Sequence, residues 1–103
     1  MIDAGRAESF RTLKGRIAGA DLRDDYEFRI LLSDAQELLE MSDQEFADAL
    51  RVSRPTVNRW IRGKNLPHTA LRGPVCTWID RQASERLKRL ELFAQRAAIT
   101  SAA

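Results

Sequence analysis

The tightest constraint in this 103-residue sequence is the spacing of helix start and stop signals between Ser42 and Gly63. Ser42 followed by Glu45 has capping-box spacing: the serine oxygen can accept from a first-turn N–H while the glutamate reaches back, so a helix starts at Asp43 and runs to about Leu50. After Arg51 and Val52, Ser53 is a good N-cap and Pro55 lies in the first turn, where a missing backbone N–H costs nothing. A second helix is therefore expected from Arg54 to Arg62, stopped by Gly63. Two such short helices joined by three residues form a compact angled pair rather than an extended bundle. Phe46, Ala47, Leu50, Val52, Val57, Trp60 and Ile61 are placed to face inward, and Ala47 keeps the crossing close because its side chain is small.

The rest of the chain is read as helical too. No alternating run exceeds a few positions, and Gly and Pro occur as isolated punctuation, so no strands are expected. A first helix from about Ala4 to Ile17, ended by Gly19, carries Phe10, Leu13 and Ile17 as a short apolar stripe and Arg6, Arg11, Lys14 and Arg16 on a basic face. Tyr26 to Glu40 is strongly amphipathic through Phe28, Leu31, Leu32, Ala35, Leu38 and Leu39. Lys64 to Thr69 reads as a loop, and Gly73 with Pro74 marks the start of a last, long helix through about Ala97, the sequence leaving open whether Ala70 to Gly73 belongs to it. With 44% hydrophobic residues the chain suits one all-α domain over 1–103, with a core at 26–80, the short helix pair at 43–62 and a possible dimerisation helix at 81–103.

Charge is unevenly divided. Residues 20–50 hold ten acids against Arg23 and Arg29, whereas 51–72 hold Arg51, Arg54, Arg59, Arg62, Lys64 and Arg72 with no acid. A basic block beside an acidic one gives a directional positive patch, which suits one-faced contact with a polyanion. Burying the apolar side of the second short helix leaves Arg54, Pro55, Asn58, Arg59 and Arg62 on its outer face, polar groups with the reach to enter a major groove.

Met41 to Ile79 resembles the lambda repressor-like, or xenobiotic-response-element type, family of helix-turn-helix proteins. The resemblance rests on Ser42, Phe46, Ala47, Leu50, Val52, Ser53, Val57, Trp60 and Gly63, followed by Lys64, Asn65 and Pro67. It implies a sequence-specific regulator of transcription that binds double-stranded DNA, with Tyr26 to Glu40 as the preceding helix. Ser53, Arg54, Asn58, Arg59 and Arg62 then take base-edge or phosphate-contacting positions. Arginine can bond guanine through O6 and N7, and asparagine adenine through N6 and N7. Thr56 and Gln44, at helix N-termini, suit phosphate oxygens, and Lys64 and Asn65 follow the backbone. The sequence departs from the family at Arg51, a turn position often filled by Gly, which must accept a left-handed conformation at roughly 1 kcal/mol or a different turn. The N-terminal helix and the long C-terminal helix are extensions of the family's usual core.

Other chemistry is not indicated. Trp60 could stack on a base, but its spacing with Val57 and Ile61 fits core packing; Trp78 reads as core or interface. One His68 and one Cys76 do not complete a tetrahedral zinc shell, and no paired motif supports a nucleophile, so neither catalysis, a metal nor a cofactor is expected. The longest strictly apolar runs are three residues, too short for a membrane span. Met1 to Phe10 lacks the basic start and apolar stretch of a secretion signal, which makes the cytoplasm the expected compartment.

Leu87, Leu90, Phe93, Ala94 and Ala97 form a last stripe that could pair with a second copy, giving a homodimer on an inverted-repeat operator, or pack on Phe10, Leu13 and Ile17 of the same chain. The function expected is a repressor. A rival is an antitoxin-type module whose extended helices neutralise a protein partner while still binding DNA, and a third is an architectural factor that bends its site.

Overall fold

The computed structural model describes the backbone of residues 3–102 and side-chain exposure for residues 5–98. Met1, Ile2 and Ala103, the ends of the 1–103 and 81–103 assignments, lie outside the described residues. Five helices follow one another: α1 (Asp3–Gly19), α2 (Asp25–Leu39), α3 (Asp43–Leu50), α4 (Arg54–Ile61) and α5 (Thr69–Ala102). Among the described residues there is no strand.

One core joins all five. Phe10 and Leu13 of α1, Phe28, Leu31, Leu32, Ala35 and Leu39 of α2, Phe46 and Ala47 of α3, Val57 and Trp60 of α4, and Val75, Cys76, Ile79 and Ala83 of α5 are buried together. Trp78 sits half-buried at its rim with its ring edge-on to Phe46, the centroids 5.3 Å apart. Ala47 is fully buried, as expected of a small residue at a close crossing.

Helix ends α2, α3 and α4 close in the same way. A residue with positive φ, Glu40, Arg51 or Gly63, turns the chain, and the following N–H donates back five residues: Met41 to Gln36, Val52 to Ala47 and Lys64 to Arg59. These reverse bonds satisfy carbonyls that a helix end otherwise leaves without partners. Arg51 does adopt the left-handed conformation, at φ 60° and ψ 42°. Gly63 is favoured by its φ of 76°, and a Cβ there would lie 2.7 Å from Cδ of Arg29, so that the Arg29 side chain reaching over from α2 would have to shift.

Two expectations are corrected at α5. The helix begins at Thr69, not at Gly73–Pro74, and continues through Ala102 rather than ending near Ala97. His68 starts it, accepting the Ala70 N–H on Nδ1 and the Leu71 N–H on its carbonyl. Pro74 lies inside the helix and removes one bond, to the carbonyl of Ala70, a residue exposed to water. The start of α5 is pinned by Arg72, only 5% exposed, whose guanidinium donates to the carbonyls of Pro67 and Leu22, pairs with Asp25 at 2.9 Å and lies over the ring of Phe28.

The apolar stripe of α5 divides. Leu87 and Leu90 are half-buried against the core, and α1 makes its main interface with α5, so this half of the stripe packs within the chain. Further out, residues 91–98 are all exposed, including Phe93 at 63%.

Candidate nucleic-acid interface

α3 and α4 are set by their caps before they are set by packing. Ser42 Oγ accepts from the Glu45 N–H at 3.1 Å while Glu45 Oε1 accepts from the Ser42 N–H at 2.9 Å, so the expected capping box is complete. These bonds favour the ionised form of Glu45 and hold its carboxyl below the usual range. Ser53 caps α4 by accepting the Thr56 N–H, and Pro55 sits in the first turn.

With Val57 and Trp60 turned into the core, the other face of α4 presents Arg54, Pro55, Asn58 and Arg59 to solvent. Arg62 and Lys64 follow at its C-terminal end, also exposed, with Asn65 at φ 49° in the turn beyond. Gln44 is exposed on the first turn of α3, where its amide donates to Asp48 at 2.8 Å. Thr56 is half-buried and its hydroxyl bonds that of Ser53 at 2.7 Å. Because Ser53 already holds the Thr56 N–H and Pro55 has none, the start of α4 offers an anion little backbone to bind; side chains must supply most of the contacts.

Five cations, Arg51, Arg54, Arg59, Arg62 and Lys64, are exposed here, and among the described residues none of them makes an ion pair. Arg72, the sixth member of the basic block, is turned inward and adds nothing to this face, which corrects the charge division read along the sequence.

Sequence reasoning missed Asp43. Its carboxylate accepts from Gln36 Nε2 at 2.6 Å on one oxygen and from Asn58 Nδ2 at 3.2 Å on the other, tying α2, α3 and α4 together at the edge of the exposed face. Those two hydrogen bonds, Gln36 first, hold the Asp43 carboxyl below its ordinary value, with the charge of Arg54 adding to them. Nothing local marked it in the sequence, because an acid in the first turn of a helix is ordinary.

Residues 35–70, from the second half of α2 to the first residues of α5, match a family model described as helix-turn-helix. This stretch is a lambda repressor-like helix-turn-helix. The match begins six residues before Met41 and ends short of Ile79, the limits expected from individual residues. No curated protein and no solved structure matches the chain.

A helix-turn-helix of this family is a DNA-binding element of transcription regulators, and the family is usually non-enzymatic. α4 holds the position of its recognition helix, the second of the pair. Elsewhere, no helix among the described residues is long and apolar enough to cross a membrane. Burial pushes the Cys76 thiol up to about 11, so at neutral pH it is a protonated core side chain rather than a thiolate nucleophile.

Proposed function

We propose that this chain is a sequence-specific regulator of transcription in the cytoplasm that inserts the exposed face of α4 into the major groove of double-stranded DNA, and that it represses by occupying its operator. The observation that carries this reading is the set of five exposed cations on and around α4 that make no ion pair among the described residues. A cation already neutralised by a carboxylate has little to offer a phosphate; these are uncommitted. Arg54 and Asn58, four residues apart on one side of α4, are the base readers, with Ser53, Pro55, Arg59 and Arg62 beside them. Gln44, Lys64 and Asn65 meet the DNA backbone, and Thr56, whose N–H Ser53 already holds, reaches it only through its hydroxyl.

A homodimer on an inverted repeat fits the outer part of α5, where Leu92 and Phe93 are exposed. Two-fold pairing there would set two α4 helices to read half-sites about 34 Å apart. Selection of binding sites from random duplexes, repeated across salt concentrations, tests the reading. The expected result is a defined palindromic site with affinity falling steeply as salt rises; no preference among duplexes and no salt dependence overturns it. Light scattering after size exclusion gives the mass: a dimer supports the pairing, a monomer at micromolar concentration removes it, and a stoichiometric foreign protein favours the antitoxin reading.

A further inference from the structure

We propose that Asp43 is a positioning residue for base specificity: by holding one amide N–H of Asn58 it fixes which way that amide faces and makes Asn58 a reader of adenine that rejects guanine. This rests on the reading of α4 as the helix in the groove.

An asparagine amide has an oxygen on one side and an NH2 on the other, and a free side chain can turn either way. In the major groove adenine offers an acceptor, N7, and a donor, N6–H, whereas guanine offers two acceptors, N7 and O6. A free asparagine can meet adenine with its oxygen and one N–H, and can also meet guanine by pointing its NH2 inward. It therefore discriminates less sharply than one whose amide is held in a single orientation.

The Asp43 carboxylate removes that freedom. An ionised carboxylate only accepts hydrogen bonds, so the group of Asn58 that faces it is the NH2, at 3.2 Å. One N–H is thereby engaged, and what remains to face a base is the other N–H together with Oδ1. That donor–acceptor pair matches adenine. Opposite guanine it sets Oδ1 against a second acceptor. The carboxylate is itself held: Gln36, half-buried on core-packed α2, donates to its other oxygen at 2.6 Å. The arrangement also gives a reason for an acid at the edge of a basic face, where its charge opposes phosphate binding. An acid in the first turn of α3 favours that helix by its dipole alone, but a helix-dipole role leaves base preference at one position untouched.

The test is selection of sites by the wild type, Asn58→Ala and Asp43→Ala, followed by titration of duplexes carrying adenine, guanine or 7-deazaadenine at the one position whose preference Asn58→Ala abolishes. The wild type is expected to favour adenine over guanine there on the order of tenfold to a hundredfold, and to lose much of that margin with 7-deazaadenine, which lacks the N7 acceptor. Asp43→Ala is expected to narrow the adenine preference at that position to about threefold or less while leaving other positions unchanged. It keeps the Ser42–Glu45 box, and its melting temperature is measured alongside. Gln36→Ala, which loosens the carboxylate from the opposite side, is expected to shift the same position in the same direction, and stands in for Asp43→Ala if that variant does not fold. An undiminished adenine preference in both variants overturns the proposal, as does a wild type with no adenine preference at the Asn58-dependent position. In both cases a retained palindromic site leaves the DNA-binding reading intact. A wild type that selects no duplex at all sinks that reading and this inference with it.

Discussion

α1 and the region around α4 carry nearly the same number of cations and use them in opposite ways. On α1, Arg6 pairs with Glu40 at 2.8 Å, Arg11 with Glu8 and Glu91 at 3.3 and 3.6 Å, Lys14 with Asp80 at 2.9 Å and Arg16 with Asp34 at 2.8 Å. All but one of these bonds cross to α5, to α2 or to its C-cap Glu40, so the basic face of α1 fastens that helix to the body. Among the described residues, no carboxylate around α4 pairs with Arg51, Arg54, Arg59, Arg62 or Lys64. Of the ten acids of residues 20–50, Asp34 and Glu40 pair with α1 and, among the described residues, none pairs with a cation around α4. What a charged residue does depends on what faces it, and net charge along a sequence does not report that.

The comparison can be pushed hardest at the most deeply paired cation. Arg72→Met keeps volume but strips a donor from the carbonyls of Pro67 and Leu22, and is expected to cost about 2 to 4 kcal/mol in denaturant unfolding. A loss within a few tenths of a kcal/mol would mean these carbonyls find water instead. Next come the unpaired cations. Arg54→Ala is expected to weaken binding to the selected site by about 1 to 3 kcal/mol and relax preference at one base pair, while Lys64→Ala weakens all duplexes alike and lowers the salt slope by about one. Equal losses for Arg54→Ala on selected and random duplexes would remove its base-reading role. Arg16→Ala, on the paired side, is expected to cost at most about 1 kcal/mol of stability, because its bridge to Asp34 is partly exposed, and to leave DNA affinity unchanged. A drop in affinity of the size seen for Lys64→Ala would erase the contrast between the two regions.

The smallest effect concerns acid. Glu45 has its carboxyl pKa lowered by the Ser42 bonds, so its contribution is fully present above the ordinary glutamate value and is lost as pH falls through the depressed value. In Glu45→Gln the amide oxygen still accepts from the Ser42 N–H but cannot ionise. The variant is expected to melt slightly below the wild type at neutral pH, with the gap closing on acidification; a pH-independent gap contradicts the assignment.

Much of this architecture was legible in the residues themselves. Ser42, Glu45, Ser53 and Pro55 act within a few residues of one another, so the limits of α3 and α4 follow from local hydrogen bonding. Arg51 was harder, since only the helix spacing demanded a left-handed residue where the side chain disfavours one. The start of α5 was not legible: His68 caps it through an imidazole nitrogen, outside the usual set of capping side chains, and Gly73–Pro74 resemble a boundary although the helix passes through them. The exposed face of α4 could be read because its complement is apolar. The Gln36–Asp43–Asn58 link could not, because it joins three helices and depends on their relative placement. The inward turn of Arg72 was hidden for the same reason.

One unbroken rod of 34 residues leads from the turn after α4 to the far tip of the molecule. Its base is clamped by Arg72, so α5 behaves as a ruler with a fixed phase. Each residue inserted beyond Ala83 would advance the tip by about 1.5 Å and swing it by about 100°. Any surface gripped at the tip is thus indexed, in both reach and rotation, to the direction in which α4 points.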